Sequence, residues 1–599
     1  MRAPAGLGER SVADGEAAAG LGTACHDVPG RVQASLGGGG EKSPEFQLTP
    51  DCPGAGVLCA VPALLANGLL KQEELLPHPP GYYSVKILLL LLSFLALSRR
   101  PSLEKLRYLL PGEWGRMLGL DRIPEVKTLR AKLEALSQPA AVAAWSQALS
   151  QGWMQLDESL CGLLYLDGHV RAYTGSQTSL PRRFSSRNRL CLPSLMDYWV
   201  NDREGKPFFV VTAMGTEGMI HYLKTEIVPR LLRDVPNQPS AEALAADPTL
   251  HRFIMVFDRE CWSVELFAWL WRTYRIAIIT YQRGTYQPWP KKDFQPHLVQ
   301  LPFGHTRQMN LAERPFQHPA AQATETQPEV SLREIRRLCD DSEHQTSIIA
   351  TVRTEVMATL AGHVFSRKSQ ENYFKYGSYE FHIDQLPGHA LAEPPTGQTV
   401  MTPAYVELTN QNNRLRATIR KLRAERDRLT LSSQESREIS AYQTAHADLT
   451  QRIEQHERDH KDILAKRRQL PKRIRIDSLP EDKRPSLIAP VRLQFINAIR
   501  MTAYRAEMAL VALIRQHLVR SDDAHNLIKD LFTHHADLIP NHQDKTLTIR
   551  VHNFTCPMAN QTIEKLFDDL NGTETVFPNT NLLMRFELVS PANPRDQEV

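Results

Sequence analysis

Two aspartates directly follow strongly apolar runs, and their placement limits the chemistry that this sequence can support. Asp167 ends the run at residues 163–166, and Asp258 ends the run at residues 253–257. Short apolar runs of this kind are typical of buried strands, and open sheets place reactive groups at strand ends. On neighbouring strands, two carboxylates would repel one another unless a cation neutralised them. Oxygen-ligated Mg²⁺ ions meet that need and support phosphodiester cleavage.

Glu371 is the candidate for a third carboxylate at the same site. It falls on a helix predicted from about residue 355 to 376, and Arg367 lies four residues earlier on the same helix face. A single Asp after a buried strand is more often a turn residue or a helix cap. The order strand–Asp, strand–Asp, insertion and helix–Glu is what favours a metal-dependent site that acts on DNA.

Several basic residues are candidates for contacts to DNA phosphates. His169 and Arg171 share a strand face with Asp167, although packing is an equal alternative for His169. Arg259 adjoins Asp258, and its alternative is an ion pair with a nearby acid. A solvated surface is the alternative for the loop and linker residues. The predicted DNA-contacting residues are Arg171, Arg182, Arg183, Arg259, Arg367, Lys375, Lys472, Arg473 and Arg475.

The elements around these residues predict an α/β protein with a mixed sheet, flanking helices and several further units. Apolar strands alternate with amphipathic helices from about residue 160. The predicted organisation is a disordered tail at 1–50, a helical and DNA-binding domain at 51–150, a catalytic domain at 158–400 with an insertion at about 284–343, a helical hairpin at 404–468, and a basic linker with an α+β region at 469–599.

Leucines at seven-residue spacing predict the hairpin. Leu408, Leu415, Leu422 and Leu429 repeat in this way, and a second apolar series runs from residue 449 to 463. The spacing is typical of an antiparallel helical hairpin or a coiled coil. Six basic residues between positions 466 and 475 then form a candidate phosphate-binding linker.

Composition sets broad limits on the function. The chain has 599 residues, of which 42% are hydrophobic, and a net charge of only +4. These values are typical of a folded protein whose DNA affinity must come from local patches. Eight scattered cysteines, with no CxxC pair, argue against a zinc site, and the apolar run at residues 87–97 is too short to span a membrane. The cysteine usage fits a reducing cytosol, so we expect a cytoplasmic protein.

The motifs as a group resemble the transposases of bacterial insertion sequences, which have a ribonuclease-H-like core and an Asp-Asp-Glu triad. The resemblance runs from about residue 85 to the C-terminus, and its most specific piece is the Gln-Glu-Asn block at 370–372. The segments that carry it are Tyr165–Val170, Phe257–Glu260, His344–Ile349, Arg367–Tyr376 and Leu570–Pro578.

The resemblance implies that Asp167, Asp258 and Glu371 bind Mg²⁺ or Mn²⁺ and catalyse strand cleavage and strand transfer. Double-stranded DNA and a homodimer or higher oligomer on it are the implied partners. Three family positions depart: Val364 stands where many relatives have Tyr, Ser378 stands where they have Lys, and Lys368 stands where a Trp is expected. The alternatives are a metal-dependent nuclease without strand transfer, and a catalytically decayed relative that binds DNA.

Overall fold

The computed structural model describes a mixed α/β protein with one large sheet. The described residues are 27–36, 40–100, 102–173, 175, 180–185, 189–213, 217–284, 286–325, 328–339, 342–385, 391–392, 399–429, 436–480, 487–488 and 490–589. The predicted α/β class is confirmed at the level of a large mixed sheet with many helices. In the described ranges, no helix is long and apolar enough to cross a membrane.

The helices are distributed along the whole described chain. They are α1 (Val28–Ser35), α2 (Val61–Ala66), α3 (Val85–Leu97), α4 (Pro111–Arg116), α5 (Val126–Leu136), α6 (Pro139–Leu156), α7 (Met219–Tyr222), α8 (Val228–Asp234), α9 (Ala241–Ala246), α10 (Val264–Tyr274), α11 (Met357–Phe365), α12 (Lys368–Glu380), α13 (Pro403–Asp427), α14 (Ser436–Gln469), α15 (Pro490–Arg515), α16 (Asp523–Thr533) and α17 (Pro557–Gly572).

The strands form the large sheet, a smaller C-terminal sheet and two short pairs. They are β1 (Thr49–Cys52), β2 (Leu163–Ala172), β3 (Arg182–Ser185), β4 (Leu190–Asn201), β5 (Pro207–Ala213), β6 (Ile254–Phe257), β7 (Ala277–Tyr281), β8 (Gln295–Gln300), β9 (Thr306–Pro315), β10 (Arg333–Leu338), β11 (Gln345–Ala350), β12 (Leu391–Ala392), β13 (Thr399–Met401), β14 (Arg473–Arg475), β15 (Leu487–Ile488), β16 (Ala536–Asn541), β17 (Thr546–Val551) and β18 (Leu583–Leu588).

The large sheet has the strand order β3-β4-β2-β6-β7-β11-β10-β9-β8, and β5 also pairs with β4. Its centre is parallel, because β2 runs parallel to β6 and β6 to β7. The other neighbours are antiparallel. The central strands are almost entirely apolar, as expected for strands that are covered on both faces.

Residues 284–343, which we expected to be an irregular insertion, contain three further strands of the same sheet. Strands β8, β9 and β10 extend it beyond β11. A few apolar residues of these strands, such as Val299, Met309 and Leu311, are buried, and ion pairs link several of the polar positions. Arg333 contacts Glu313 at 2.6 Å across neighbouring strands, and Arg336 contacts Glu334 at 2.6 Å. Hydrophobic periodicity therefore did not reveal these strands.

The expected disordered tail differs from the structure over its second half. Residues 1–26 lie outside the described residues, but α1 and β1 are ordered elements. Strand β1 pairs antiparallel with β16, so that Thr49 lies opposite Leu538. The ring of Phe46 is buried and packs edge-on against Phe577, with 4.8 Å between ring centroids. Contacts with residues almost 500 positions later thus order a segment whose own pattern is weak.

The helices predicted within residues 404–468 are α13 and α14, which pack against one another. We call this pair the arm. Ile419 and Leu422 of one helix contact Leu449 and Ile453 of the other. The residues that join the two helices, 430–435, lie outside the described residues. At the base of the arm, β13 and β14 pair antiparallel, which holds the two ends of the arm together.

A cluster of charged side chains joins distant segments in the interior. Arg99, which follows α3, contacts Glu380 of α12 and Glu507 of α15, both at 2.7 Å. Lys529 contacts the second oxygen of Glu380 at 2.6 Å, and the hydroxyl of Tyr376 donates to Glu507. We call these five residues the buried cluster. Because Glu507 is fully buried, its charge depends on these partners.

Candidate active site

Asp167 and Asp258 lie side by side on neighbouring parallel strands. Leu166 of β2 is paired with Phe257 of β6, and Asp167 and Asp258 directly follow these two residues in the chain. One carboxylate oxygen of Asp167 accepts the backbone N–H of Gly168 at 2.9 Å. The corresponding oxygen of Asp258 accepts the N–H of Arg259 at 2.7 Å. The second carboxylate oxygen of each aspartate, Oδ2, is therefore free to contact other partners.

The guanidinium of Arg367 brings the three acids together. Its Nη1 lies 3.0 Å from Oδ2 of Asp167, and its Nη2 lies 3.5 Å from Oδ2 of Asp258. The same Nη2 lies 3.2 Å from Oε1 of Glu371, four residues later. We call these four residues the acid site. Its exposure rises outward: the side chains of Arg367, Asp167, Asp258 and Glu371 are 10%, 17%, 41% and 46% exposed.

Burial and neighbouring charges alter the acid–base properties of the site. Burial raises the pKa of Asp167 to about 6, although the Arg367 guanidinium opposes this shift. Asp258 and Glu371 add to the rise because like charges repel. Burial lowers the pKa of Arg367, but the three carboxylates outweigh it and hold that pKa above its ordinary value. The acid site thus concentrates negative charge around one fixed cation.

Gln370 fixes the helix that carries Glu371 to the central strands. This fully buried side chain donates from Nε2 to the carbonyl of Tyr165 at 3.3 Å and to that of Trp199 at 3.2 Å. It also donates to Oδ1 of Asn201 at 2.8 Å. Tyr165 precedes Asp167 by two residues on β2. The register between Glu371 and Asp167 is therefore set by the neighbouring glutamine.

The carboxylates of Asp167, Asp258 and Glu371 are potential ligands of a divalent metal ion. Three carboxylates offer only hard oxygen ligands, which suit Mg²⁺ or Mn²⁺. The guanidinium already stands as a cation between them. As placed, no three His, Cys, Asp or Glu side chains of the described chain are close enough to hold one metal ion. The three carboxylates suit such a metal ion in ligand type and in negative charge. The Arg367 guanidinium is the cation that competes with it.

Glu260 is a fourth acid near the site to which sequence reasoning assigned no role. A Cβ atom on Gly168 would lie 3.2 Å from its Oε2, so this carboxylate reaches the residue after Asp167. Burial raises the pKa of Glu260, and the charges of Asp167 and Asp258 raise it further. Its position two residues after Asp258 was the available indication.

Arg171 is a predicted DNA-contacting residue, and the structure places its guanidinium in an interior ion pair. Its side chain is fully buried, and Nε donates to Oδ2 of Asp197 at 3.1 Å. Nη1 donates to the carbonyl of Gln385 at 3.1 Å. The neighbouring strand β4 supplies Asp197, so the ion pair depends on strand pairing that alternation along β2 alone cannot reveal. His169 is similarly engaged, with Nε2 2.6 Å from Oδ1 of Asp384.

The other predicted DNA-contacting residues divide into exposed and engaged side chains. Arg367 is engaged with the acids, Arg473 contacts Glu217 at 2.7 Å, and Arg475 contacts Asp477 at 2.8 Å. Arg183 is partly buried. Arg475 is exposed despite its ion pair, and the residues that are exposed and form no ion pair with another described residue are Arg182, Arg259, Lys375 and Lys472.

In the region predicted to be the N-terminal DNA-binding domain, the basic helix face is partly occupied. Arg130 of α5 forms an ion pair with Glu104, and Lys132 donates to the carbonyl of Pro79 at 3.0 Å. Lys127 is exposed. The buried face of the same helix carries four apolar residues at spacings of 3, 4 and 3, which are Val126, Leu129, Leu133 and Leu136.

Comparison with known proteins gives a match over nearly the whole chain. Residues 20–590 match the model of a family, Transposase_29, described as "Transposase protein". The chain belongs to this transposase family. Membership implies that the protein acts in DNA transposition and binds DNA. No curated protein and no solved structure gives a significant match.

Proposed function

We propose that this transposase cuts and joins DNA through an Asp-Asp-Glu triad formed by Asp167, Asp258 and Glu371. The supporting observation is that three carboxylates from β2, β6 and α12 converge on one guanidinium. A ribonuclease-H-like core is part of the proposal. It is supported by the antiparallel strands β5, β4 and β2 continuing into parallel β6 and β7. Asp258 directly follows β6, and Asp167 lies at the adjoining position midway along β2.

In the proposed site, Asp167, Asp258 and Glu371 would hold Mg²⁺ or Mn²⁺. When bound, such ions activate an attacking hydroxyl and stabilise the leaving oxygen in phosphoryl transfer. Arg367 keeps the three carboxylates gathered in the protein before DNA arrives, since it contacts all of them. The exposed outer position of Glu371 and Asp258 leaves that side of the site open to a phosphate backbone.

Exposed cations beside the triad would position the DNA. Arg259 follows Asp258 directly, and Lys375 lies one helical turn after Glu371. Both are exposed, so they can reach phosphate oxygens without leaving a buried ion pair. Because transposition brings two element ends together, we further propose that the active form on DNA is a dimer or a higher oligomer.

Metal-dependent cleavage of element ends tests the proposal. The substrate is a plasmid that carries the DNA flanking this gene, and the reaction is run with Mg²⁺, with Mn²⁺ and with EDTA. We expect cleavage and strand transfer only with metal, and loss of both in Asp167→Asn and Asp258→Asn. DNA binding, measured by gel shift, should remain in both variants.

Asp530→Asn is the matched control, since Asp530 is an exposed acid on α16 outside the acid site. It should retain cleavage. Cleavage that persists in Asp258→Asn would contradict the triad. Cut ends that are never joined would identify a nuclease without strand transfer. Metal-independent DNA binding without any cleavage would identify a decayed relative.

A further inference from the structure

The first helix of the arm carries a dense concentration of positive charge that no part of the site uses. Between residues 414 and 428 the sequence has seven arginines and lysines and only two acids, Glu425 and Asp427. Six of the seven basic side chains are exposed, and the seventh, Arg426, is partly buried. Along one stretch of about 21 Å of helix, this is far more positive charge than the net charge of +4 would suggest.

Three of these cations form a straight row. Arg414, Lys421 and Arg428 repeat every seven residues, which returns to nearly the same side of a helix. We call these three residues the basic row. The inner face of α13 is occupied by Ile419 and Leu422, which pack against α14. The row therefore faces away from the apolar seam of the arm.

The acids of the arm leave the basic row without ion pairs among the side chains that the structure describes. Arg423 contacts Glu457 of α14 at 2.5 Å, and Arg426 contacts its neighbour Asp427 at 3.5 Å. Two other acids of α14 pair within their own helix, Asp448 with Arg452 and Asp459 with His456. A row of exposed like charges costs stability through repulsion, and a polyanion would relieve it.

The base of the arm is attached beside the acid site. Arg473 of β14 contacts Glu217 at 2.7 Å, and Met219 follows two residues later. A Cβ on Gly168, the residue after Asp167, would lie 3.5 Å from Cε of Met219. DNA held in the acid site thus passes close to the point from which the arm extends.

We propose that the basic row binds the phosphate backbone of duplex DNA independently of base sequence. The inference rests on the proposed function for its setting, but it assigns DNA contact to the arm instead of the linker, where Arg473 and Arg475 are already paired with acids. Over the length of the row, duplex DNA carries roughly a dozen negative charges, since it has one per about 1.7 Å. Regularly spaced cations on a rigid helix match such a target without reading bases.

The test measures binding of the full chain to a labelled duplex of scrambled sequence, in EDTA and at several KCl concentrations. The variant combines Arg414→Gln, Lys421→Gln and Arg428→Gln. We expect roughly 10- to 100-fold weaker binding at low salt, and a slope of log K against log salt that is smaller by about 2 to 3. The loss should be equal for element-end and scrambled DNA.

The control removes the same number of charges from exposed sites outside the arm, through Lys292→Gln, Arg307→Gln and Lys565→Gln. It should bind nearly as the unaltered protein does, and circular dichroism should show unchanged helicity in both variants. Equal losses in the two triple variants would overturn the proposal, because net charge alone would then explain them. Unchanged DNA binding with altered self-association in sedimentation would also overturn it and indicate an acidic protein surface as the partner.

Binding in EDTA does not depend on catalysis, so the two proposals fail separately. If the arm variant loses DNA affinity while the unaltered protein cuts nothing in any metal, the arm stands and the triad fails. If cleavage depends on Asp258 and the arm variant binds DNA normally, the triad stands and the proposal for the arm fails.

Discussion

Each end of helix α12 contributes one glutamate to a group of carboxylates around an arginine. The two groups differ in what surrounds them. At its start, Glu371 joins the acid site, whose acids are 17% to 46% exposed. At its end, Glu380 joins the buried cluster, where it is 8% exposed and Glu507 is fully buried. In the buried cluster each carboxylate has close partners on both oxygens. In the acid site, one arginine serves three acids.

This difference separates chemistry from stability on a single helix. Acids with closely matched partners in the interior hold segments together, and removing one leaves an uncompensated charge. Acids that share one cation at a surface keep oxygens for other ligands. The comparison predicts that the same substitution has opposite consequences at the two ends of α12.

The largest effect is expected for Glu371→Gln. It removes one of the three converging carboxylates, so DNA cleavage should fall by roughly 1000-fold or more, as for other groups that stabilise charge at a reacting centre. The melting temperature should stay nearly unchanged. Glu380→Gln on the same helix is the control and should keep its activity per folded molecule. Similar losses of cleavage in both variants would remove the distinction between the two ends.

Glu507→Ala should have the largest effect on stability. It removes a fully buried carboxylate from Arg99 and Tyr376, and the free energy of unfolding should fall by about 3 kcal/mol or more. Urea unfolding followed by circular dichroism measures this change. Glu371→Gln serves here as the opposite control. A loss below about 0.5 kcal/mol would mean that the buried cluster is no more stabilising than surface ion pairs.

Gln370→Leu should affect both properties to an intermediate degree. The change leaves the carbonyls of Tyr165 and Trp199 without this donor, at a cost of about 1–3 kcal/mol. The helix start should then shift against β2, and misplacement of Glu371 should lower cleavage by about 100-fold. Melting curves and cleavage rates below the melting temperature separate the two effects. Lys368→Gln at the exposed start of the same helix should change neither.

Asp167→Asn should raise the stability of the metal-free protein at high pH. The folded-state pKa of about 6 lies above the ordinary 3.8, so folding favours the protonated form. That contribution is fully present below about pH 4 and is lost as the pH rises through about 6. The variant, which cannot ionise, should be more stable than the unaltered protein at pH 8 by at most about 3 kcal/mol.

The gain in Asp167→Asn should be constant between pH 8 and about pH 7 and should shrink as the pH falls from about 6 to 4. Melting temperatures measured in EDTA across this range check the prediction. A gain that is constant with pH would show that Asp167 ionises as readily in the folded protein as in the unfolded chain. Asp530→Asn should show no such pH dependence, because that side chain is exposed.

Local patterns were sufficient to locate much of the acid site. The apolar runs before Asp167 and Asp258 predicted two buried strands, and the structure pairs them in parallel. An acid that directly follows a buried apolar run stands out, which is why both were found. Asp258 does follow the end of β6, whereas β2 continues past Asp167 to Ala172. Arg367 and Glu371 were associated by their spacing of four residues, and the structure shows that contact at 3.2 Å.

Features that depend on pairing between distant segments were not predictable. The direction of Arg171 depends on Asp197 of a neighbouring strand, and ion pairs such as Arg333–Glu313 link polar positions of strands β8 to β10. Gln370 gave no indication of its role, because its three acceptors lie on β2 and β4. The catalytic roles of the triad and the metal remain predictions.

Because β1 pairs with β16, the N-terminal part of the fold can form only late in synthesis. The backbone N–H of Asp51, in β1, can donate to its partner, the carboxylate of Asp537, only after 486 further residues have been synthesised. At about 5–20 residues per second, the ribosome needs roughly 25 to 100 s to supply them. Helix α3 also waits for α15, against which it packs. Until then, an almost wholly apolar helix and an unpaired strand remain exposed on the nascent chain, and both are binding sites for chaperones.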